Sequence, residues 1–180
     1  MKVGFYTLGC KVNTYESEVL MNKFKNAGYE LVDFNEKSDI YVINTCSVTN
    51  TSDQKSRKII REALNKNKDA IICVMGCYSQ LNYEDIKSLG DIAIILGNND
   101  KSKLLDYVEE YKKNKKQIIK IDDLNKVCFE DMRLDSFQKH TRAFVKIQDG
   151  CNNYCSYCII PYTRGNVRSK RKEFKIQFVT

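Results

Sequence analysis

No apolar run in this sequence approaches the roughly 20 residues that a membrane-spanning helix needs; the longest, AIICVM, occupies positions 70–75. The opening stretch MKVGFYTLGC has neither the long apolar core nor the small-residue cleavage site of an export signal. A cytoplasmic protein without a membrane partner is therefore expected. There is a single histidine, His140, which leaves little for mixed cysteine–histidine metal sites. Internal repeats and low-complexity tracts are absent, so a repeat array is not expected.

What is present fits a globular chain. Its 180 residues suffice for one domain and the start of another, and a hydrophobic content of 42% allows a sizeable core. The net charge of +7 fits a polyanionic partner such as RNA without requiring one. Eight cysteines are many for a reducing compartment, where clustered thiols more often bind metal or do redox chemistry than form disulfides.

Residues 1–113 alternate between strand and helix patterns. KVGFYTL, DIYVINTC, AIICVMGC and DIAIILG read as strands, and LVDF at 31–34 as a further short one. The stretch from Asn13 to Glu30 reads as a helix with Asn13 as cap and Glu16 as its capping-box partner. Tyr15, Val19, Phe24 and Ala27 form its inner face, and Gly28 stops it. SDQKSRKIIREALNKN is a second helix burying Ile59, Ile60, Ala63 and Leu64; EDIKSLG and KSKLLDYVEEYKK complete the set. This alternation predicts an α/β fold, an open parallel sheet with helices on both faces. Residues 114–140 are charged and weakly periodic and read as a linker with one short strand at QIIKI. A new unit, 141–180, begins with a strand in which Ala143, Val145 and Ile147 alternate with Phe144, Lys146 and Gln148.

That strand runs into CNNYCSYC. Cys151, Cys155 and Cys158 form a CxxxCxxC loop. Thiolates at this density suit an iron–sulfur cube with one iron left open. Structural zinc is the competing reading, but it wants four closed ligands; no second cysteine pair lies nearby, and His140 is eleven residues upstream. A second constellation is scattered: Cys10, Cys46 and Cys77 each end an apolar strand, two of them preceded by Gly9 and Gly76. In an open parallel sheet ligands bind outside the carboxyl ends of the strands. These three thiols either converge there or are ordinary buried cysteines. Cys73, inside a strand, reads as core, and Cys128 receives no role.

The triplet with Tyr157 before its last cysteine resembles the signature of radical S-adenosylmethionine enzymes. The run IIPYTRG at 159–165 narrows the likeness to the methylthiotransferases, and TLGCKVNTYES, INTCSVT and MGCYSQ resemble the amino-terminal domain of that family. The resemblance covers residues 1 to about 172. It implies two 4Fe–4S clusters, one on Cys151, Cys155 and Cys158 and one on Cys10, Cys46 and Cys77. The former would bind S-adenosylmethionine and cleave it to a 5′-deoxyadenosyl radical. The latter would supply or carry the inserted sulfur. Tyr157 would lie near the adenine of the cofactor, or simply pack against its cluster.

The stretch GCKVN resembles the branch that methylthiolates C2 of N6-threonylcarbamoyladenosine in tRNA, 3′ to the anticodon. Branches acting on isopentenyladenosine tRNA or on a ribosomal protein are the alternatives. A stand-alone iron–sulfur electron-transfer protein and a zinc module are rivals of another class. Expected partners are tRNA and an electron donor such as a flavodoxin or ferredoxin. Basic runs at 112–116 and 168–172 are candidate backbone contacts or plain solvated charge; Arg164 and Arg168 are candidates for substrate or cofactor contact. The family continues through a partial barrel and a small RNA-binding domain, and the closing EFKIQFVT departs from its pattern. The chain is thus expected to be an inactive part of such an enzyme, with only the first strand and cluster loop of the barrel.

Overall fold

A computed structural model describes residues 1–133 and 144–171. His140, Ala143, Lys172 and the closing EFKIQFVT lie outside the described residues.

The chain runs β1 (Lys2–Thr7), α1 (Lys11–Asn26), β2 (Glu30–Val32), β3 (Ile40–Thr45), α2 (Asn50–Lys66), β4 (Ile71–Gly76), α3 (Cys77–Lys87), β5 (Ile94–Leu96), α4 (Leu104–Asn114) and β6 (Ile118–Lys120). It then continues through β7 (Gln148–Asp149), α5 (Ile160–Arg164) and β8 (Arg168–Ser169). The first six strands form one sheet in the order β2-β1-β3-β4-β5-β6, every neighbouring pair parallel.

Strand periodicity builds two cores from one sheet. Alternate side chains point to opposite faces. Ile40, Val42, Ile71, Cys73 and Met75 therefore join Val19, Leu20 and Phe24 of α1 and Leu104 and Val108 of α4 on one side. Tyr41, Ile43, Ile72 and Val74 join Ile59, Ile60 and Ala63 of α2 and Tyr78 and Ile86 of α3 on the other. Each such side chain contributes about 1.5–3 kcal/mol when fully buried, so β3 and β4, with all six residues buried in each, are the spine. The α/β sheet with helices on both faces is as the sequence predicts.

Several details differ. Helix α1 begins at Lys11 with Cys10 in the cap position, so Asn13 lies inside the helix and Glu16 is no capping-box partner. Both side chains are fully buried and used elsewhere. Ala27 is exposed just past the helix end, while Gly28, at φ +86°, provides the left-handed stop. Helix α3 starts directly at Cys77 and continues through a kink at Asn82. The short strand expected near 117–121 exists as β6 and pairs with β5, so the sheet reaches beyond residue 113. The segment after it also packs: Leu124 and Met132 are buried, and the Tyr15 hydroxyl donates to the Met132 carbonyl at 2.7 Å.

The strand expected over 143–147 is replaced, over the described 144–147, by irregular chain. Backbone groups need a neighbour; the described neighbour is Arg168–Ser169, which pairs antiparallel with Gln148–Asp149. Val145 and Ile147 stay exposed, while Lys146 is drawn inward by an ion pair.

Candidate metal centre

The strand order places β1, β3 and β4 side by side, and each leads into one of the scattered cysteines at its carboxyl end. Cys10 caps α1, Cys46 follows β3, and Cys77 opens α3. The order β2-β1-β3 reverses direction between β1 and β3, the switch point where open α/β sheets bind ligands. Cys10 and Cys46 stand at its two sides.

The loops are built for close approach. Gly9 has φ +102°, and a Cβ there would lie 2.8 Å from Cβ and 2.9 Å from Sγ of Cys46. Gly76 has φ +108°, and its Cβ would lie 2.5 Å from the Thr45 carbonyl oxygen. No other residue type fits either place without displacing a neighbour. The Asn13 amide ties the same loops together, donating to the Leu8 carbonyl at 2.8 Å and the Thr45 carbonyl at 3.0 Å. Asn44 donates in turn to the Asn13 carbonyl at 3.0 Å and to Ser17 Oγ at 3.1 Å. Cys46 and Cys77 are buried and Cys10 is exposed, all as free thiols. Among the described residues no three cysteine, histidine or acidic side chains are gathered closely enough to hold a metal ion as they stand. The donor set nonetheless suits a thiophilic metal: three thiols at the ends of three adjacent strands, on loops that two glycines let approach closely.

The second set forms a surface loop strapped at its base. The Cys151 amide donates to the Gly165 carbonyl at 3.0 Å, and the Cys158 amide to the Cys155 carbonyl at 2.9 Å. The Val167 amide donates to Asn152 Oδ1 at 2.8 Å. Gly150, at φ +79°, passes so near Asn166 that a Cβ would meet its carbonyl oxygen at 2.1 Å. Cys155 is exposed; Cys151 and Cys158 are half-buried. Tyr157 is 90% exposed and so does not pack against its own loop. Tyr154, in the left-handed region at φ +46°, meets Tyr162 edge-on at 6.0 Å.

Between the two sets lies a buried ionic cluster. Glu16 pairs with Lys101, with Lys146 Nζ at 2.7 Å and with Arg164 Nη1 at 3.2 Å. Asp149 pairs with Lys146 at 2.7 Å and Arg164 at 2.9 Å. All five side chains are nearly inaccessible. Burial pushes the Glu16 carboxyl up, but Lys101, Lys146 and Arg164 outweigh it and hold it well below the usual carboxylate range. Asp149 is lowered by the same balance, its burial outweighed by Arg164 and Lys146. The Arg164 guanidinium is driven well above its ordinary value; its burial opposes this, and Glu16, Cys77 and Asp149 overcome it.

Arg164, a sequence candidate for substrate or cofactor contact, is thus a buried brace in this structure. Arg168 likewise donates to the Leu124 carbonyl at 2.8 Å and the Arg164 carbonyl at 2.9 Å. Lys112, in the basic run at 112–116, pairs with Glu109 and donates to the Tyr29 hydroxyl. Glu16, Lys101, Lys146 and Asp149 were not legible as site residues, nor was Asn98, whose Nδ2 lies 3.4 Å from Cys77 Sγ. The one signal was an acid amid the apolar positions of α1. Cys73 is core as expected, its thiol pushed up by burial, and Cys128 is exposed.

Among the described residues no helix is long and apolar enough to cross a membrane. A family described as "Uncharacterized protein family UPF0004" matches residues 2–97. The "Threonylcarbamoyladenosine tRNA methylthiotransferase MtaB" of Bacillus subtilis is 46% identical over 172 residues, covering 95% of this chain and 38% of that protein. The protein of the same name from Aquifex aeolicus is 40% identical over 174 residues, covering 94% and 42%. The "Ribosomal protein uS12 methylthiotransferase RimO" of Caldicellulosiruptor saccharolyticus is 38% identical over 175 residues, covering 94% and 40%. The chain therefore spans about two fifths of the length of these relatives.

Proposed function

This chain belongs to the uncharacterized protein family UPF0004, and from that premise we propose that it is the amino-terminal part of a tRNA methylthiotransferase acting on C2 of N6-threonylcarbamoyladenosine. The likeness to the Bacillus subtilis protein named for that substrate supports the substrate, as does the GCKVN stretch at Cys10. The observation that carries the reading is the placement of Cys10, Cys46 and Cys77 at the carboxyl ends of three adjacent strands, with the helix that follows the Cys151–Cys155–Cys158 loop bound to the same body through Thr163 and Arg164.

In this reading each set of three thiols holds a four-iron cluster with one iron left for an outside ligand. When bound, the cluster on Cys151, Cys155 and Cys158 would supply the electron that breaks a carbon–sulfur bond of S-adenosylmethionine, giving a radical able to act on a C–H bond that no side-chain base can deprotonate, and the cluster on Cys10, Cys46 and Cys77 would supply or carry the inserted sulfur. The electron comes from a donor such as a flavodoxin or ferredoxin.

The chain's own residues do the positioning. Gly9 and Gly76 let the cysteine loops close on one another, and Asn13 and Asn44 hold those loops at fixed spacing. Gly150 and Asn152 fix the base of the second loop. Tyr157 stands free to lie against the adenine of S-adenosylmethionine.

The test is anaerobic iron loading of the full chain. About eight irons per chain are expected, and about four after Ala replaces Cys10, Cys46 and Cys77 together, or Cys151, Cys155 and Cys158 together. Unchanged iron in the first triple variant refutes the reading of the scattered set.

A further inference from the structure

We infer that the short helix α5 is a registration device: through Arg164 and Asn98 it fixes the two cysteine loops against each other. The inference gains its purpose from the reading of the two sets as cluster sites. Its geometry does not depend on that reading.

Helix α5 directly follows the second cysteine loop and ends in Thr163 and Arg164, both buried. Two connections run from it to the first set, each through one asparagine. Arg164 Nη2 donates to Asn13 Oδ1 at 2.6 Å. Asn13 in turn lies 3.8 Å from Cys10 Sγ and holds the Thr45 carbonyl, the peptide entering Cys46. The Thr163 carbonyl accepts from Asn98 Nδ2 at 2.6 Å, and the same nitrogen lies 3.4 Å from Cys77 Sγ. All three cysteines of the first set are thus linked to one turn of helix that adjoins the second.

The anchoring is ionic and deep. Asp149, two residues before Cys151, shares the Arg164 guanidinium with Glu16 of α1. A planar fork bound to three acceptors on two elements fixes orientation as well as distance. Reacting groups held by separate loops need such support, because placement errors near an ångström already cost catalysis heavily. Lysine at 164 keeps the charge but loses the fork, so it separates registration from simple charge balance.

The test uses the metal-free full chain, so a failure of iron loading and a failure of registration appear in separate experiments. Each thiol's alkylation rate is read by peptide mass spectrometry, with the core thiol Cys73 reporting global opening. Arg164→Lys is expected to raise the rate at Cys46 about tenfold or more, the least that loss of a charge-assisted hydrogen bond predicts. Asn98→Ala is expected to do the same at Cys77 while leaving Cys46 unchanged. Cys73 should stay protected in both. Unchanged rates at Cys46 and Cys77 overturn the inference. So does a rise shared equally by Cys73, because α5 would then be ordinary packing. In the unaltered chain, the hydrogen-bonded amides of Thr14, Tyr162, Thr163 and Gly165 should exchange hydrogen with one common urea dependence, as parts that open together. Separate dependences overturn the inference even if neither variant folds.

Discussion

Replacing Glu16 by Gln keeps the shape of the side chain and removes the carboxylate that Lys101, Lys146 and Arg164 share. Asp149 still serves Lys146 and Arg164, so the stranded charge is mainly Lys101, which is wholly buried against Glu16. Breaking one partner of a buried pair costs about 3–5 kcal/mol, and the remaining help from Asp149 argues for the lower end, about 3 kcal/mol. With a urea dependence of about 2 kcal/mol per molar, the unfolding midpoint should fall by about 1.5 M. The acid limb gives a second reading. The folded-state carboxyl titrates well below its ordinary value, so its contribution is fully present above the unfolded-state pKa of about 4.3. It is lost as pH falls through the lower, folded-state value, because the unfolded chain then binds the proton more readily. The gap between the natural chain and the Gln variant should therefore be widest near neutral pH and shrink toward pH 3. Urea titrations at several pH values, followed by circular dichroism, measure both. A midpoint shift below about 0.3 M at neutral pH, or a gap that does not narrow in acid, refutes the account of Glu16 as the keystone of the cluster.

Gly76→Ala should destabilise by at least about 2 kcal/mol, since its Cβ would meet the Thr45 carbonyl at 2.5 Å in a left-handed backbone. Gly28→Ala, with positive φ but nothing within 4 Å, should cost only about 1 kcal/mol. Equal costs in urea titration would remove the case for close approach at the cysteine loops. Transfer RNA should bind the 180-residue chain mainly through charge, with affinity falling steeply as salt rises in a filter-binding series. In an anaerobic assay with reductant, S-adenosylmethionine and tRNA carrying threonylcarbamoyladenosine, no multiple-turnover 2-methylthio product is expected from this chain alone. Its appearance in digested nucleosides would show that the enclosure offered by these 180 residues suffices.

The sheet was legible because its central strands are apolar runs separated by periodic helices, and β3 and β4 are buried on both faces as such runs require. The cysteines were legible as residue types and strand-end positions. What local pattern could not supply was the use of polar side chains over long range. Asn13 and Glu16 satisfy a capping box in spacing, yet Asn13 reaches the end of β3 and Glu16 meets three cations from 85 to 148 residues away. Over the described residues 144–147 the expected strand is absent for a related reason: alternation is present, but a ladder needs a partner, no strand pairs with 144–147 among the described residues, and Lys146 gains more from Glu16 than from solvent. Arg164 reads in sequence as a candidate for substrate or cofactor contact, and only the fold reveals that α5 turns it inward to Glu16, Asp149 and Asn13.

The two cysteine sets differ in what their assembly asks of the chain. Cys10, Cys46 and Cys77 are separated by thirty-six and thirty-one residues, each interval holding a complete strand–helix crossover. In an unfolded chain, closing either loop costs about 3 kcal/mol of entropy. The parallel pairing of β1, β3 and β4 has already met that cost when the sheet forms. Cys151, Cys155 and Cys158 are only four and three residues apart, so they are near neighbours whether or not the chain is folded. The second set is a set as soon as residue 158 has been made, whether or not the chain is folded, whereas the first becomes one only once β1, β3 and β4 have paired.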